Sequence, residues 1–200
     1  LGRVSLGNPV SGKLYVFSTA VSGANTLLKV AVSDGPAGDV WIHAAGGAWE
    51  TPANWLGGTP VDAAGAVAIF STEAQAGGAA VTVAGTAALG GLTLSSASPY
   101  SFSGGTLAIN NGGADAAWTV SAGRHEVASD VRLDGALAVS AASGTTQTVS
   151  GAVSGSAGLK LNPAAAGGGT VILSGANTFA GGLETGCGTA EISSTDALGS

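Results

Sequence analysis

Residues 169–182 read GTVILSGANTFAGG, a short extended run followed by a turn-forming segment. In its first half Val171 and Leu173 alternate with Thr170, Ile172 and Ser174. This places Val171 and Leu173 on one side of an extended chain, because successive side chains of a strand point to opposite faces. Its second half holds turn-forming Ser, Gly and Asn. The unit Ser174–Thr178 recurs intact at residues 22–26. A short strand followed by a glycine-rich turn is typical of a β-solenoid, in which each unit packs only against its neighbours.

The same alternation recurs from residue 66 onward and predicts many short strands. The outward positions are mostly Ala, Ser, Thr and Gly, which suit a regular stacked surface, and two-residue hairpin turns are rare. The pattern therefore favours a parallel solenoid over a sandwich or barrel. The pairs expected to face inward are Val67/Ile69, Val81/Val83, Leu92/Leu94, Leu107/Ile109, Trp118/Val120, Val131/Leu133, Leu137/Val139, Leu159/Leu161, Val171/Leu173 and Ala190/Ile192.

Residues 1–40 follow a different pattern. Lys13–Ser18 and Thr26–Val32 are longer and more apolar runs, and the turn signal Asp34–Asp39 follows them. We expect an antiparallel β segment here, the tail of a preceding β module. The solenoid is expected over residues 41–200, with a Trp-rich lead-in or cap at residues 41–60.

Composition excludes several classes of protein. Gly makes up 35 of 200 residues, and the net charge is −6 from 6 basic and 12 acidic residues. An apolar fraction of 45% is too high for a disordered chain. The chain has no basic run for nucleic acid and no apolar run of about 18 residues for a membrane helix. Because Cys187 is the single cysteine, no intrachain disulfide and no cysteine-based metal site can form. The Ca²⁺ nonapeptide G-G-x-G-x-D and the dinucleotide fingerprint are also missing, so we expect no metal and no cofactor. No signal peptide is visible, so export is expected to be encoded outside this chain.

Two segments resemble a known family. Residues 169–182 are similar to the passenger-associated repeat of autotransporter-associated β-strand proteins, G-T-L-x-L-S-G-x-N-T-Y-x-G-G-T, and Asp196–Ser200 to its continuation. Residues 47–58, GAWETPANWLGG, resemble the G-x-W-x-x-x-x-N-W lead-in before such repeats. Glu184–Thr185 and Cys187 depart from the family pattern. The resemblance implies a right-handed parallel β-helix in the exported part of a large bacterial surface protein, with a structural role.

Within the repeat, five residues are expected to build the coil. Asn177 can bond backbone groups in a turn, and Phe179 can fill the interior at a corner. Gly181 and Gly182 tolerate positive φ at a tight corner. The fifth residue is Gly175.

Five other residues are candidates for ligand contact: Trp49, Trp55, Asp130, Arg132 and Asp134. The indoles can stack on sugar rings or, as we favour, cap the open end of the solenoid. If Val131 and Leu133 face inward, the three charged residues lie outward on one strand, about 6.8 Å between alternates. That spacing favours a solvated ladder over ligand contact or catalysis. His43 has no partner at metal-ligand spacing, and no catalytic motif occurs.

The expected function is a non-catalytic structural or display stalk, or an adhesion segment, at the bacterial cell surface. The alternative is a β-helix carbohydrate-active enzyme, similar to a polysaccharide lyase or hydrolase, or its glycan-binding appendage. Expected partners are neighbouring repeats or domains of the same polypeptide, extracellular glycans, a host or neighbouring cell surface, and a second copy bound end to end.

Overall fold

A computed structural model describes residues 13–22, 25–34, 38–71, 79–163, 168–193 and 198. Of the predicted Asp196–Ser200 continuation, only Leu198 lies among them. These residues form short strands and one 3-10 helix, Pro52–Asn54. The strands are β1 Lys13–Ser22, β2 Asn25–Asp34, β3 Gly38–Val40, β4 Gly47–Ala48, β5 Val67–Ser71, β6 Ala79–Thr82, β7 Thr86–Leu89, β8 Gly91–Ser95, β9 Tyr100–Ser103, β10 Thr106–Ile109, β11 Ala116–Val120, β12 Arg124–Val127, β13 Asp130–Leu133, β14 Leu137–Ala141, β15 Thr146–Val149, β16 Val153–Gly155, β17 Leu159–Leu161, β18 Thr170–Leu173, β19 Leu183–Thr185 and β20 Thr189–Ile192.

Three parallel sheets form a β-solenoid. The first sheet has the order β19-β17-β14-β11-β8-β5-β3, the second β20-β18-β15-β12-β9-β6-β4, and the third β16-β13-β10-β7. The chain passes from the first sheet to the second and third, then returns one strand further along. Equivalent residues of successive coils therefore pair in one column, as Leu92, Trp118, Val139 and Leu161 do. The spacings between these four residues along the chain are 26, 21 and 22 positions. The all-β parallel solenoid predicted from the alternation is confirmed, and its right-handed winding stays a prediction.

The core lies between the sheets and consists of stacked columns of inward side chains. Most of the predicted inward pairs are buried as expected. These are Val81/Val83, Leu92/Leu94, Leu107/Ile109, Trp118/Val120, Val131/Leu133, Leu137/Val139, Leu159/Leu161 and Val171/Leu173.

The prediction for β5 was wrong. Ala68 and Phe70 are fully buried, whereas Val67 and Ile69 are only half-buried. Phe70 packs at 4.8 Å between ring centroids against Phe102 of the second sheet, so the aromatic side chain selects the inward face. A shift of one residue in strand register moves every side chain of the strand to the opposite face. The pairing of β5 with β8 fixes the register of β5.

The prediction for β20 was wrong as regards burial. Ala190 and Ile192 pair with Val171 and Leu173, as the alternation requires. However, all four residues of β20 are exposed, and Ile192 is 37% exposed. The reason is that β20 is the outermost strand of the second sheet among the described residues.

The N-terminal strands form an antiparallel pair, as expected. β1 and β2 align from Lys13 opposite Asp34 to Ser22 opposite Asn25. The next strand, β3, pairs in parallel with β5 and belongs to the solenoid. Solenoid pairing is therefore present from Gly38, next to the boundary that the turn signal suggested.

Candidate functional site

The Trp-rich lead-in folds into a closed aromatic cluster. Trp49 and Trp55 are each 1% exposed and meet edge to face at 4.9 Å, while Trp41 meets Trp55 edge to face at 5.3 Å. Phe70 stacks against Trp41 at 5.6 Å. Edge-to-face pairs of this kind contribute about 0.5–1.5 kcal/mol beyond the area they bury. The cluster thus covers one end of the core with large rings.

Each indole N–H of the lead-in donates to a backbone carbonyl of the lead-in or of Val61, the residue that follows it. Trp41 Nε1 donates to the carbonyl of His43 at 2.8 Å, Trp49 Nε1 to that of Val61 at 2.8 Å, and Trp55 Nε1 to that of Trp49 at 2.7 Å. The buried rings and their occupied donors fit the cap interpretation. Glycan contact at Trp49 and Trp55 stays a prediction.

The charged ladder, Asp130 and Arg132 of β13 with the following Asp134, points outward, and each of its side chains has a partner within the chain. Arg132 donates from Nε to Asp134 Oδ1 and from a terminal nitrogen to Oδ2, both at 2.8 Å. This contact raises the pKa of Arg132 and lowers the pKa of Asp134, in each case mainly through the hydrogen bond. Asp130 Oδ1 accepts the Ala152 N–H of the next coil at 3.1 Å. The ladder therefore pairs Arg132 with Asp134, while Asp130 joins two coils.

A cavity of about 220 Å³ lies between the lead-in and β7, and the sequence did not point to it. Two carboxylates line it. Glu50 Oε1 accepts the Ala84 N–H and Asp62 Oδ1 accepts the Ala88 N–H, both at 2.8 Å. Because β7 is the outermost strand of the third sheet, these carboxylates satisfy donors at an open sheet edge. The remaining lining residues are Trp49, Pro60, Thr86 and Ala87.

The polar and aromatic residues of the repeat build the coil as expected. Asn177 is buried, and its Oδ1 accepts the Val153 N–H of the preceding coil at 2.8 Å. Phe179 is buried beside it, and the neighbouring Ala180 N–H donates to the carbonyl of Gly155 at 2.9 Å. Both side chains face the interior and are closed to ligand.

Glycine is needed at the three repeat positions for two separate physical reasons. A Cβ at Gly175 would lie 2.2 Å from the carbonyl oxygen of Gly151, and one at Gly181 would lie 2.2 Å from the backbone of Ala157. Gly182 has open space around it but adopts φ +83°, as the corner prediction required. Close backbone approach explains the first two positions, and a left-handed conformation explains the third.

Polar groups that the sequence patterns did not predict are buried inside the solenoid. His125 is only 3% exposed; its Nδ1 accepts the Tyr100 N–H at 3.0 Å, and its Nε2 donates to the Ala122 carbonyl at 2.8 Å. Burial lowers its pKa. Asn162, at φ +47°, accepts the Ala141 N–H at 2.8 Å. Alternation along Arg124–Val127 already places His125 inward with Val127, whereas its bond to Tyr100 depends on the coil register.

Other candidate groups stand apart from these clusters. Cys187 is a free, exposed thiol, and His43 is exposed with its ring bonded to the Gly46 carbonyl. Across the described ranges, no group of three or more His, Cys, Asp or Glu side chains is placed to hold a metal ion. Nor does any helix in that part of the chain have the length and apolarity to cross a membrane.

Comparison of the chain with protein-family models, with curated proteins and with solved structures gave no significant match.

Proposed function

We propose that this chain is a non-catalytic rod segment that carries or displays other domains. The observation that carries the proposal is that each charged side chain of the outward ladder has a partner within the chain. Asp130 accepts the Ala152 N–H of the next coil and Arg132 pairs with Asp134, so all three charged side chains already have partners and do not converge on a substrate. A capped, continuous core running through the parallel coils is the other requirement of a stalk.

The setting of the rod is part of the same proposal. The resemblance of residues 47–58 and 169–182 to passenger-type segments supports a place in an exported bacterial surface protein. Its partners would then be neighbouring repeats of the same polypeptide, with glycans or another cell surface as adhesion targets. Antibodies raised against the folded solenoid should label intact cells of the source organism. Labelling only after lysis would overturn the surface placement.

A second candidate function rests on the cavity beside β7. Glu50 and Asp62 line one cavity with Trp49, and many glycosidases act through a pair of carboxylates. Each carboxylate uses one oxygen on a backbone N–H, which leaves the other oxygen for a ligand. This arrangement would suit a β-helix carbohydrate-active enzyme or a glycan-binding appendage.

A polysaccharide panel separates the two functions. The purified chain is incubated with each polymer, and new reducing ends or unsaturated products are measured. The rod proposal expects none. Turnover that is lost in Asp130→Ala or Arg132→Ala would overturn the rod proposal and assign catalysis to the charged ladder. Turnover that is lost in Glu50→Gln or Asp62→Asn would assign catalysis to the cavity. Asp115→Asn is the matched control, because Asp115 is an exposed acid that pairs with Lys160 at 2.7 Å.

End-to-end association is the remaining part of the proposal. The strands β19 and β20 form the outermost edge of two sheets among the described residues, and β20 is exposed throughout. Exposed strand edges pair readily with other chains, and a low surface charge does little to oppose this. Sedimentation of this chain should show weak, concentration-dependent dimers. A strictly monomeric species at high concentration would contradict the association.

A further inference from the structure

The ring of His125 occupies a place in the β9–β12 ladder that a backbone carbonyl would normally fill. The regular pairing of these strands includes Ser101 with Glu126 and Phe102 with Val127. One residue earlier, the Tyr100 N–H points to the same neighbour but donates to His125 Nδ1 at 3.0 Å. In a parallel ladder that N–H would bond a carbonyl of the partner strand. An imidazole nitrogen therefore closes this rung.

The second ring nitrogen ties the same side chain to a turn. His125 Nε2 donates to the Ala122 carbonyl at 2.8 Å, in the turn that leads into β12. Next to it, a Cβ at Gly123 would lie 2.2 Å from the Ser96 carbonyl oxygen, so the two corners stack with backbone against backbone. The ring thus fastens the Ser96–Tyr100 corner of one coil to the corner of the next.

This arrangement requires a neutral ring. Because the Tyr100 amide can only donate, Nδ1 must carry a lone pair, and the proton must be on Nε2. Protonation would place a second donor against the Tyr100 N–H and break the rung. It would also bury a cation, which is costly without a charged partner.

None of the groups that face the ring in the described part of the chain is a carboxylate. The Tyr100 phenol lies on β9, with ring centroids 6.0 Å apart, and its hydroxyl donates to the Ser71 carbonyl. On β15, the neighbour in register is the neutral amide of Gln147. Arg124 and Glu126 flank His125 on its own strand but are exposed on the outer face. The backbone carbonyls of Ala122 and Ser96 favour an imidazolium, but the desolvation that comes with burial outweighs them.

We propose that His125 is an acid-sensitive latch, whose protonation releases the Ser96–Tyr100 corner while the other coils stay paired. Independently, desolvation lowers the pKa of His125 below its ordinary value of 6.5. Because the pKa of His125 is lower in the closed state than in the open state, the open state binds the proton first as the pH falls. The latch is therefore fully closed above about pH 6.5, weakens as pH falls towards the folded pKa, and changes no further below it. Between the two values the opening constant rises at most about tenfold per pH unit.

Hydrogen exchange on the intact chain tests the latch. Protection factors, corrected for intrinsic exchange, are followed from about pH 8 to about pH 4.5, a range that spans the expected transition. The Tyr100 amide should lose protection by up to about tenfold per pH unit below about 6.5. The reference is the Ala142 amide, which bonds the Val120 carbonyl at 2.8 Å and should keep its protection. A constant Tyr100 protection factor, or equal loss at both amides, would overturn the proposal.

Two variants and one titration complete the test. His125→Asn keeps an acceptor near the Tyr100 N–H but cannot titrate, so its Tyr100 protection should not change with pH. His43→Gln, which removes the exposed histidine, should keep the wild-type response. If His125→Asn does not fold, the wild-type ring titration by NMR decides. The His125 ring and the Tyr100 protection factor should change over the same pH range, and titration of the ring with unchanged protection would refute the latch.

Discussion

Replacing Gly175 by alanine tests whether close approach between coils holds the repeat together. Gly175 belongs to the Ser174–Thr178 unit and lies over Gly151 of the preceding coil. An added Cβ would be 2.2 Å from the Gly151 carbonyl oxygen and 2.8 Å from its carbonyl carbon, where 3.4 Å is the shortest ordinary contact. The two coils would have to separate by more than an ångström at this corner.

The magnitude follows from two opposing effects. Forcing an extra carbon into a packed site costs about 1–3 kcal/mol. The change from Gly to Ala also restricts the unfolded chain, which offsets about 0.4–1 kcal/mol of that loss. Because the opposing atoms are backbone, which cannot turn aside like a side chain, we expect the upper part of the range. The free energy of unfolding should fall by about 2 kcal/mol.

Gly85→Ala is the matched control. A Cβ at Gly85 meets nothing within 4 Å, and its φ lies outside the left-handed region. The same substitution should therefore be neutral or stabilise the chain by up to about 1 kcal/mol. Urea unfolding of both variants measures the difference, provided that the m-value stays that of the wild type. Equal midpoints for the two alanine variants would refute the close-approach argument.

Three further substitutions separate corner geometry, cap packing and surface charge. Gly182→Val should lower the melting temperature and cost well over about 1 kcal/mol, because valine resists φ +83°; an unchanged melting temperature would contradict the corner assignment. Trp49→Ala should cost about 3–5 kcal/mol in urea unfolding, since it removes a buried ring from the cap; a loss below about 1 kcal/mol would mean that the cap does not stabilise the solenoid. Arg132→Ala should change stability by less than about 0.5 kcal/mol, because the Arg132–Asp134 pair is largely exposed; a larger loss would give the ladder a structural role beyond a surface ion pair.

Local pattern predicted much of the fold, and it failed where both faces of a strand are apolar. In β13 only Val131 and Leu133 fit a buried face, because Asp130 and Arg132 are charged, so alternation alone predicted the outcome. In β5 Val67 and Ile69 compete with Ala68 and Phe70, and the choice depends on rings from other coils. Identical sequence also has two outcomes. Residues 174–178 follow β18 at a coil corner, whereas Ser22 and Asn25 of the earlier copy pair at the end of the antiparallel strands.

The class of fold, the outward position of Asp130, Arg132 and Asp134, and the corner role of Gly182 could all be predicted from the amino-acid sequence. Each of these depends on period-two alternation or on a single residue's backbone freedom, which are local properties. The groups that meet across coils could not be predicted in this way and are known from the folded structure. His125 finds the Tyr100 amide 25 residues away, and Glu50 finds the Ala84 amide 34 residues away. The physical reason is that coil length varies from turn to turn. Which residues stack is therefore set by the register of the whole solenoid and not by spacing along the chain.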